Sequence, residues 1–290
     1  MPTNRYFDQI LNVIERGNLE GGLTLLAGQL ASANLSTQSM NDARKNLRAH
    51  QLHRLLLEDP YTARAFHKPR GYAGDAQLID LIYDRQVPDS TSDQGRSVFA
   101  VTSEFPTSAA VRSRRDHAET ILLAAHQAGK KICTLACGHF REGDPLIGED
   151  LRSITAVDQD PLSLDFVRAR HSNNLNLVEA NVIHYLRAAA KEGAQFDLIY
   201  TLGLTDYFEE RAMALLHKLM KACLAPGGTI LLANFLPGHL AIGWMDACMD
   251  WNLIYRDEAN LEAHAAAIGM KTRTFRDPTA AIVWSEMTED

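Results

Sequence analysis

The sequence KICTLACGHFRE, residues 131–142, decides how the rest of the chain is interpreted. Residues 132–136 form a short apolar run of strand-forming residues, and Gly138 follows closely. A run of this kind predicts a buried parallel strand with helices on both faces. A glycine after such a strand lets the backbone turn sharply and lets a ligand approach without meeting a side chain. We therefore expect a ligand at the first strand-to-helix turn of a doubly wound sheet.

The glycine spacing at this turn bears on which ligand binds. The dinucleotide fingerprint G-x-G-x-x-G has its middle glycine where a pyrophosphate approaches the backbone. In this chain Gly138 and Gly143 take the outer positions, and Phe140 takes the middle one. That bulky side chain argues against a pyrophosphate. S-adenosylmethionine (SAM) carries an adenosine but no phosphate, so it needs fewer glycines.

Composition and charge narrow the function classes. The 290 residues are 46% hydrophobic and 22% charged, as in ordinary globular proteins. A formal net charge of -7 lacks the basic character of a nucleic-acid-binding protein. No apolar run approaches the length of a membrane span, and the N-terminus lacks the layout of a signal peptide. We interpret the basic cluster of Arg112, Arg114 and Arg115 as a solvated helix face.

The 4 cysteines form no CxxC pair, and no histidine cluster completes a zinc site. We therefore expect free thiols in a reducing cytoplasm and no metal. The expected partner is a small-molecule substrate, with no nucleic acid and no membrane span. A homodimer is left open.

The chain divides into two regions that differ in their predicted secondary structure. Residues 1–112 look almost wholly helical, with one long amphipathic helix expected over 38–57, closed by Pro60, and an exposed loop over 84–95. From residue 130 onward, short apolar runs alternate with helical segments, which predicts a parallel sheet. The predicted strands are residues 132–136, 153–157, 175–179, 197–201 and 229–235. Residues 272–276 and 281–286 flank Asp277-Pro278 and predict a final hairpin.

A parallel sheet that finishes in a hairpin is the layout of the class I SAM-dependent methyltransferases. We therefore predict an α/β fold with the Rossmann-like seven-stranded sheet of that class. Residues 113–290 are the predicted SAM-binding domain. Residues 1–112 are the predicted helical cap and substrate-binding domain over the cofactor cleft.

Polar residues follow the predicted strands at the edge where ligands bind. Asp158 ends the second strand, about 20 residues after the glycine turn, where an acidic side chain can bind both hydroxyls of an adenosine ribose. Asp160-Pro161 is better explained as a helix N-cap. Asn181 follows the third strand and can both donate to and accept from an adenine edge. The predicted cofactor-binding residues are Ala136, Cys137, Gly138, Glu142, Asp158, Gln159, Asn181, Val182, Thr201, Leu202 and Gly203.

Several segments together resemble one bacterial family, the extracellular-factor 3-hydroxypalmitic acid methyl ester biosynthesis proteins. These segments are RGYAGD (70–75), ACGHFRE (136–142), GLTDY (203–207), ANF (233–235) and DWNLIYR (250–256). The resemblance covers about residues 60–290 and implies methyl transfer from SAM more strongly than it implies a fatty-acid substrate. The usual turn in that family is closer to GCGPARE, so Ala136, His139 and Phe140 depart from it.

Methyl transfer requires the nucleophile, the methyl group and the sulfur to be aligned, which can contribute about 7–11 kcal/mol. A carboxylate nucleophile needs cations or donors to position it, whereas an amine or guanidine needs acidic partners and a route for its proton. Both substrate types stay open. The predicted catalytic residues are Asp206 first, then Tyr207, Tyr72 and Asp75. The predicted substrate-binding residues are Arg70, His139, Asn234, Trp251, Tyr255 and Arg256.

Other interpretations stay open beside this one. An NAD(P)-dependent oxidoreductase has the same kind of sheet, although Phe140 opposes it. A non-catalytic SAM-binding protein would keep the sheet, and Asp158 and the other polar residues of the cleft would then have no catalytic role. Asp75 has a structural alternative, because it precedes a predicted helix and can cap its first turn. Trp251 has another, as a side chain that packs a helix against the sheet.

Overall fold

The computed structural model describes residues 4–33, 37–171, 174–239 and 241–289, which divide into two units. The helical unit runs to Arg112 and also includes Pro237–Asn252. The sheet unit comprises Ser113–Leu236 and the chain from Leu253 onward. The segment Pro237–Asn252 therefore belongs to the helical unit, although it lies beyond residue 112 in sequence. The cap role of the helical unit stays a prediction.

Short helices build the helical unit. They are α1 (Asn4–Glu15), α2 (Leu19–Ala33), α3 (Thr37–Ala49), α4 (Gln51–Leu56), α5 (Pro60–His67), α6 (Ala76–Asp84) and α7 (Asp93–Thr102). The long helix α8 (Pro106–Gln127) begins in this unit and belongs to the sheet unit from Ser113 onward, and α12 (Ile242–Met249) belongs to the returning segment. Helix α1 buries Phe7, Ile10, Leu11 and Ile14 at the helical spacing seen in the sequence.

Capping residues divide the first region more finely than periodicity predicts. The single helix expected over 38–57 is wrong, because the His50 side chain caps α4 by accepting from the Leu52 N–H. Pro60 begins a helix, since Asp59 accepts from the N–H groups of Tyr61 and Thr62. The loop expected over 84–95 ends early, because Ser92 caps α7 through the Gly95 N–H.

The sheet unit contains a seven-stranded sheet in the order β3-β2-β1-β4-β5-β7-β6. Its strands are β1 (Ile132–Leu135), β2 (Ile154–Asp158), β3 (Asn176–Glu179), β4 (Phe196–Thr201), β5 (Leu224–Phe235), β6 (Lys271–Arg276) and β7 (Ile282–Thr288). The first five strands pair in parallel, and β7 pairs antiparallel with both β5 and β6. The predicted parallel sheet with a final hairpin is confirmed.

The connections position the carboxyl ends of the strands as one edge. Helices α9 (Pro161–His171), α10 (Val182–Lys191), α11 (Glu210–Ala222) and α13 (Glu258–Ala267) alternate with the strands. The strand order reverses between β1 and β4, which are neighbours in the sheet. Ligands of open α/β sheets bind at such a reversal, outside the carboxyl ends of the strands. All four residues of β1, Ile132–Leu135, are buried, as expected for a strand covered on both faces.

Helix α12 approaches α2 so closely that a glycine is required at the contact. A Cβ atom built on Gly243 would lie 2.4 Å from the carbonyl carbon and oxygen of Leu30. Gly28, also in α2, has open space around it and is exposed. The two glycines therefore differ in what an added methyl group meets.

We predict opposite effects of alanine at these two glycines. Gly243→Ala should lower the free energy of unfolding by about 1–3 kcal/mol, because the backbone of α2 must shift. Gly28→Ala should raise it by about 0.5–1 kcal/mol, since alanine loses less conformational entropy in a helix. Urea titration followed by circular dichroism measures both. Equal changes in the two variants would contradict the close approach of α12 to α2.

Candidate functional site

The turn after β1 has an unusual backbone. Ala136, Gly138 and Phe140 have positive φ angles of 53°, 53° and 48°. A non-glycine residue in this left-handed region costs about 1–2 kcal/mol, so the surrounding structure must hold Ala136 and Phe140 there. Such outliers concentrate at ligand-binding sites, which makes this turn a candidate.

The ring of Phe140 explains why residue 143 is glycine. A Cβ atom on Gly143 would lie 2.2 Å from Cε1 of Phe140. The same ring lies 5.2 Å from the His171 ring, centroid to centroid, and Phe140 is buried. Gly143 therefore makes room for Phe140, and its match to the last glycine of a phosphate-binding fingerprint has a packing cause.

Asp158 links the end of β2 to this turn. The Gly138 N–H donates to Oδ2 at 2.8 Å, and the Asp160 N–H donates to Oδ1 at 2.9 Å. Burial raises the pKa of Asp158, while these N–H groups act in the opposite direction. A carboxylate has about four acceptor positions, so these bonds do not exhaust it. Asp160 accepts from the Leu162 N–H at 3.0 Å, which confirms its predicted cap role.

Asn181 is the N-cap of α10. Its Oδ1 accepts from the N–H groups of Ile183 and His184, at 3.0 and 3.4 Å. Its amide donates to Oε1 of Gln159 at 3.5 Å, and both side chains are exposed. The structure brings Asn181 and Gln159 together, but the Asn181 oxygen already serves the helix. The predicted contact with adenine stays a prediction.

Two further buried polar side chains are Thr201, which ends β4, and Glu142, which lies in the 3₁₀ helix Arg141–Leu146 after β1. The Thr201 hydroxyl, at the end of β4, is buried without a hydrogen-bond partner among the described residues. Glu142 accepts at 2.8 Å from the Tyr200 hydroxyl. Burial raises the pKa of Glu142 to about 7, although the hydrogen bond from Tyr200 acts in the opposite direction. A protonated carboxyl group is therefore present on part of the molecules at neutral pH.

Arg114 corrects the interpretation of the basic cluster as a solvated face. Its residue exposure is only 5%, and its Nη1 lies 3.8 Å from Oδ2 of Asp206. Its Cζ lies 5.8 Å from the ring centroid of Phe235. The missed signal is helical periodicity, because Arg114 is in line with the buried Ala118 and Leu122 at intervals of four residues.

Asp206 is buried in the short 3₁₀ turn Thr205–Tyr207, which follows β4. The Phe235 N–H donates to its Oδ1 at 2.8 Å. Burial raises the pKa of Asp206 to about 7, opposed by Arg114, by the Phe235 N–H and by Arg256. Tyr207, the next residue, is 39% exposed. Asp206 is therefore a buried acid that can change protonation near neutral pH.

Arg256 and Asn234 are occupied within the protein. An arginine has five N–H donors, and all five of Arg256 are used. Two donate to Oε1 of Glu210, and the others donate to Thr205 O, Phe208 O and Asn234 Oδ1. The Asn234 amide donates to the carbonyl groups of Phe235 and Ile254. No donor of either side chain remains for a substrate. These bonds give both side chains a structural role, and their substrate-binding role stays a prediction.

The remaining predicted residues fall into different surroundings. In the sheet unit, the His139 ring stacks on Phe166 at 3.9 Å, and Tyr255 is half-buried. In the helical unit, Asp75 caps α6 through the Leu78 N–H and accepts from Arg64 Nε. Its Oδ2 is buried without a partner among the described residues. The other predicted residues of the helical unit are the half-buried Arg70 and Tyr72 and the buried Trp251. The alternative in which Trp251 packs a helix against the sheet does not hold, since residues 250–256 are not helical.

Known structures share this architecture. A possible exported protein from Bordetella parapertussis is 18% identical, with a TM-score of 0.57 over 74% of this chain and 79% of that chain. Magnesium protoporphyrin IX methyltransferase from Synechocystis PCC 6803, with bound S-adenosylhomocysteine (SAH), is 12% identical, with a TM-score of 0.50 over 64% of this chain and 88% of that chain. No protein-family model matches the sequence, and no curated protein matches it. The chain has the Rossmann-like fold of the class I SAM-dependent methyltransferases.

The buried Glu142 predicts a pH dependence of stability. Its pKa is raised from 4.5 to about 7 in the folded protein. The protonated form therefore stabilises the fold fully below pH 4.5, and this contribution to the free energy of unfolding is lost as the pH rises through about 7. Glu142→Gln should abolish this loss, which is about 3 kcal/mol at 1.36 kcal/mol per pKa unit. Urea titrations at a series of pH values measure the difference between the two proteins. The exposed Glu149, changed to Gln, is the control and should leave the profile of the wild type unchanged. Parallel profiles for Glu142→Gln and the wild type would contradict the raised pKa.

Proposed function

We propose that the protein is a SAM-dependent methyltransferase that acts on a small molecule. The observation that carries this proposal is the buried Asp158 carboxylate, bonded to the Gly138 N–H at the turn after β1. The strand order and the fold are those of the class I methyltransferases. The net charge of -7 favours a small substrate over a nucleic acid.

The residues at this edge fit an adenosyl ligand. The remaining acceptor positions of Asp158 suit the hydroxyl groups of a ribose. The Thr201 hydroxyl is a buried polar group that a ligand can satisfy, since it has no partner among the described residues. When bound, SAM supplies a methyl group on a positively charged sulfur. The protein residues then hold the adenosine, exclude water and align the acceptor.

Asp206 is the residue that we propose for proton handling. A catalytic acid or base works best with a pKa near the operating pH, and burial raises the pKa of Asp206 to about 7. Its carboxylate can accept the proton that an amine or guanidino nitrogen releases. An acyl carboxylate acceptor would need no such base and would use a cation to position it. We keep both acceptor types within the proposal.

The resemblance to the 3-hydroxypalmitic acid methyl ester family supports a bacterial biosynthetic role. We also propose a cytoplasmic location, because all four cysteines are free and buried, as in reducing compartments. Among the helices of the described ranges, none has the length and apolar character that crossing a membrane requires.

Replacing Asp158 tests the SAM site. Asp158→Ala should weaken SAH binding at least tenfold in calorimetry, because hydrogen bonds to a charged group contribute about 1.5–3 kcal/mol. Asp165→Asn, an exposed carboxylate of α9, is the matched control and should leave affinity unchanged. Titration of the wild type with NADH tests the oxidoreductase alternative. Unchanged SAH affinity in Asp158→Ala, or tight NADH binding without SAH binding, would remove the proposal.

Replacing Asp206 separates chemistry from binding. Asp206→Asn should lower methyl transfer from labelled SAM at least tenfold, since general acid–base catalysis contributes about 10²–10⁴-fold. SAH affinity should change less than turnover. Mass spectrometry of a bacterial extract incubated with labelled SAM measures the product, with Asp165→Asn as the control. Equal product yields from Asp206→Asn and the wild type would exclude a role of Asp206 in the reaction.

A further inference from the structure

Arg114 is a buried cation whose donors are incompletely used. Its Nε and Nη1 atoms are buried without a hydrogen-bond partner anywhere in the described part of the chain. Its contact with Asp206, at 3.8 Å between Nη1 and Oδ2, is longer than a hydrogen bond. Buried polar groups are paired in most proteins, so these donors need an explanation.

Arg114 differs from the other buried arginine, Arg256, in how few of its N–H groups are hydrogen-bonded. Both guanidinium groups are buried in the sheet unit, with residue exposures of 5% and 1%. Arg256 uses all of its N–H groups to join neighbouring loops, which is what a structural arginine does. Arg114 has no comparable set of acceptors, so structural bonding does not account for its presence.

Gly203 and the ring of Phe235 lie beside the Arg114 guanidinium. Gly203 has no side chain, and a Cβ atom there would lie only 3.4 Å from Nη2 of Arg114. The ring of Phe235 lies near the guanidinium, 5.8 Å from Cζ. Gly203 follows β4, and Phe235 ends β5. The guanidinium therefore stands at the carboxyl edge of the sheet, beside the position where β4 ends.

We propose that Arg114 binds a carboxylate of the ligand at this edge. This inference rests on the proposed function and identifies the anionic group that the site receives. The planar fork of a guanidinium matches the two oxygens of a carboxylate. Two sources carry that chemistry at a methyltransferase site: the amino-acid tail of SAM and a carboxylate of the substrate.

The strand spacing favours the tail of SAM. Asp158 ends β2, and Gly203 follows β4, with β1 between these two strands. Neighbouring strands lie about 4.8 Å apart, so the two positions are about 10 Å apart along the edge. A ribose held by Asp158 would direct the amino-acid tail across the end of β1. The tail ends in a carboxylate, which would meet Arg114.

The test compares a nucleoside that has this carboxylate with one that lacks it. Arg114→Gln should weaken SAH binding about ten- to hundredfold, the range for hydrogen bonds between charged groups. It should leave the affinity for 5′-deoxy-5′-methylthioadenosine, which lacks the amino-acid tail, within twofold. Arg115→Gln is the matched control, because Arg115 lies on the same helix and pairs with Asp116. It should change neither affinity.

The second source is tested with hexanoate and its uncharged amide as probes. Each is titrated into the protein with and without saturating SAH. If SAH affinity is unchanged in Arg114→Gln but hexanoate binding is lost and hexanamide binding is not, the carboxylate belongs to the substrate, which supports the proposal. If Arg114→Gln changes neither SAH nor hexanoate binding, the proposal is overturned. Equal weakening of SAH and methylthioadenosine also overturns it, since the effect then does not depend on a carboxylate.

A second variant is the control for loss of folding in Arg114→Gln. Arg114→Lys keeps the charge but lacks the planar fork, so it should lose less SAH affinity than Arg114→Gln while still binding methylthioadenosine. A wild type that binds neither nucleoside would contradict the proposed function. The hexanoate titration would then decide on Arg114 by itself, because that measurement requires no SAM.

Discussion

The hydrogen bond from the Gly138 N–H to the Asp158 carboxylate joins the turn after β1 to the end of β2. Ala136 and Phe140 adopt left-handed backbone conformations on either side of this bond. Those conformations cost free energy, and burial of both Asp158 and Phe140 helps to hold them. The geometry of the ligand-binding edge depends on this contact, because it sets where the carboxylate and the main chain stand.

Buried charge divides the rest of the site into structural and functional parts. Arg256 is matched by acceptors at every N–H, and Asn234 is likewise satisfied, so both hold loops in position. Arg114 and Asp206 are buried with a contact of 3.8 Å between them. A buried charge without full hydrogen bonding lowers stability. An incompletely paired cation beside an acid with a pKa of about 7 therefore supports the proposed roles of Arg114 in ligand binding and of Asp206 in proton transfer.

Periodicity and strand spacing were enough to predict the sheet, because buried parallel strands leave a strong apolar signal in β1, β2 and β4. They were not enough for the helix ends, where caps at His50 and Ser92 depend on local side-chain geometry. The internal bonds of Arg256 could not be predicted, because a sequence does not show which carbonyl groups surround a guanidinium. Arg114 looked solvated because charge outweighed its buried helical position. That error was avoidable, since the pattern of Arg114 with Ala118 and Leu122 is readable from the sequence.

A crystal of the protein soaked with SAH tests most directly whether the turn after β1 and Asp158 bind the adenosyl group. We predict adenosine density against the turn at residues 136–140, with the ribose hydroxyls within hydrogen-bonding distance of the Asp158 carboxylate. Density for SAH elsewhere, or side chains of the protein filling this edge of the sheet after soaking, would contradict it.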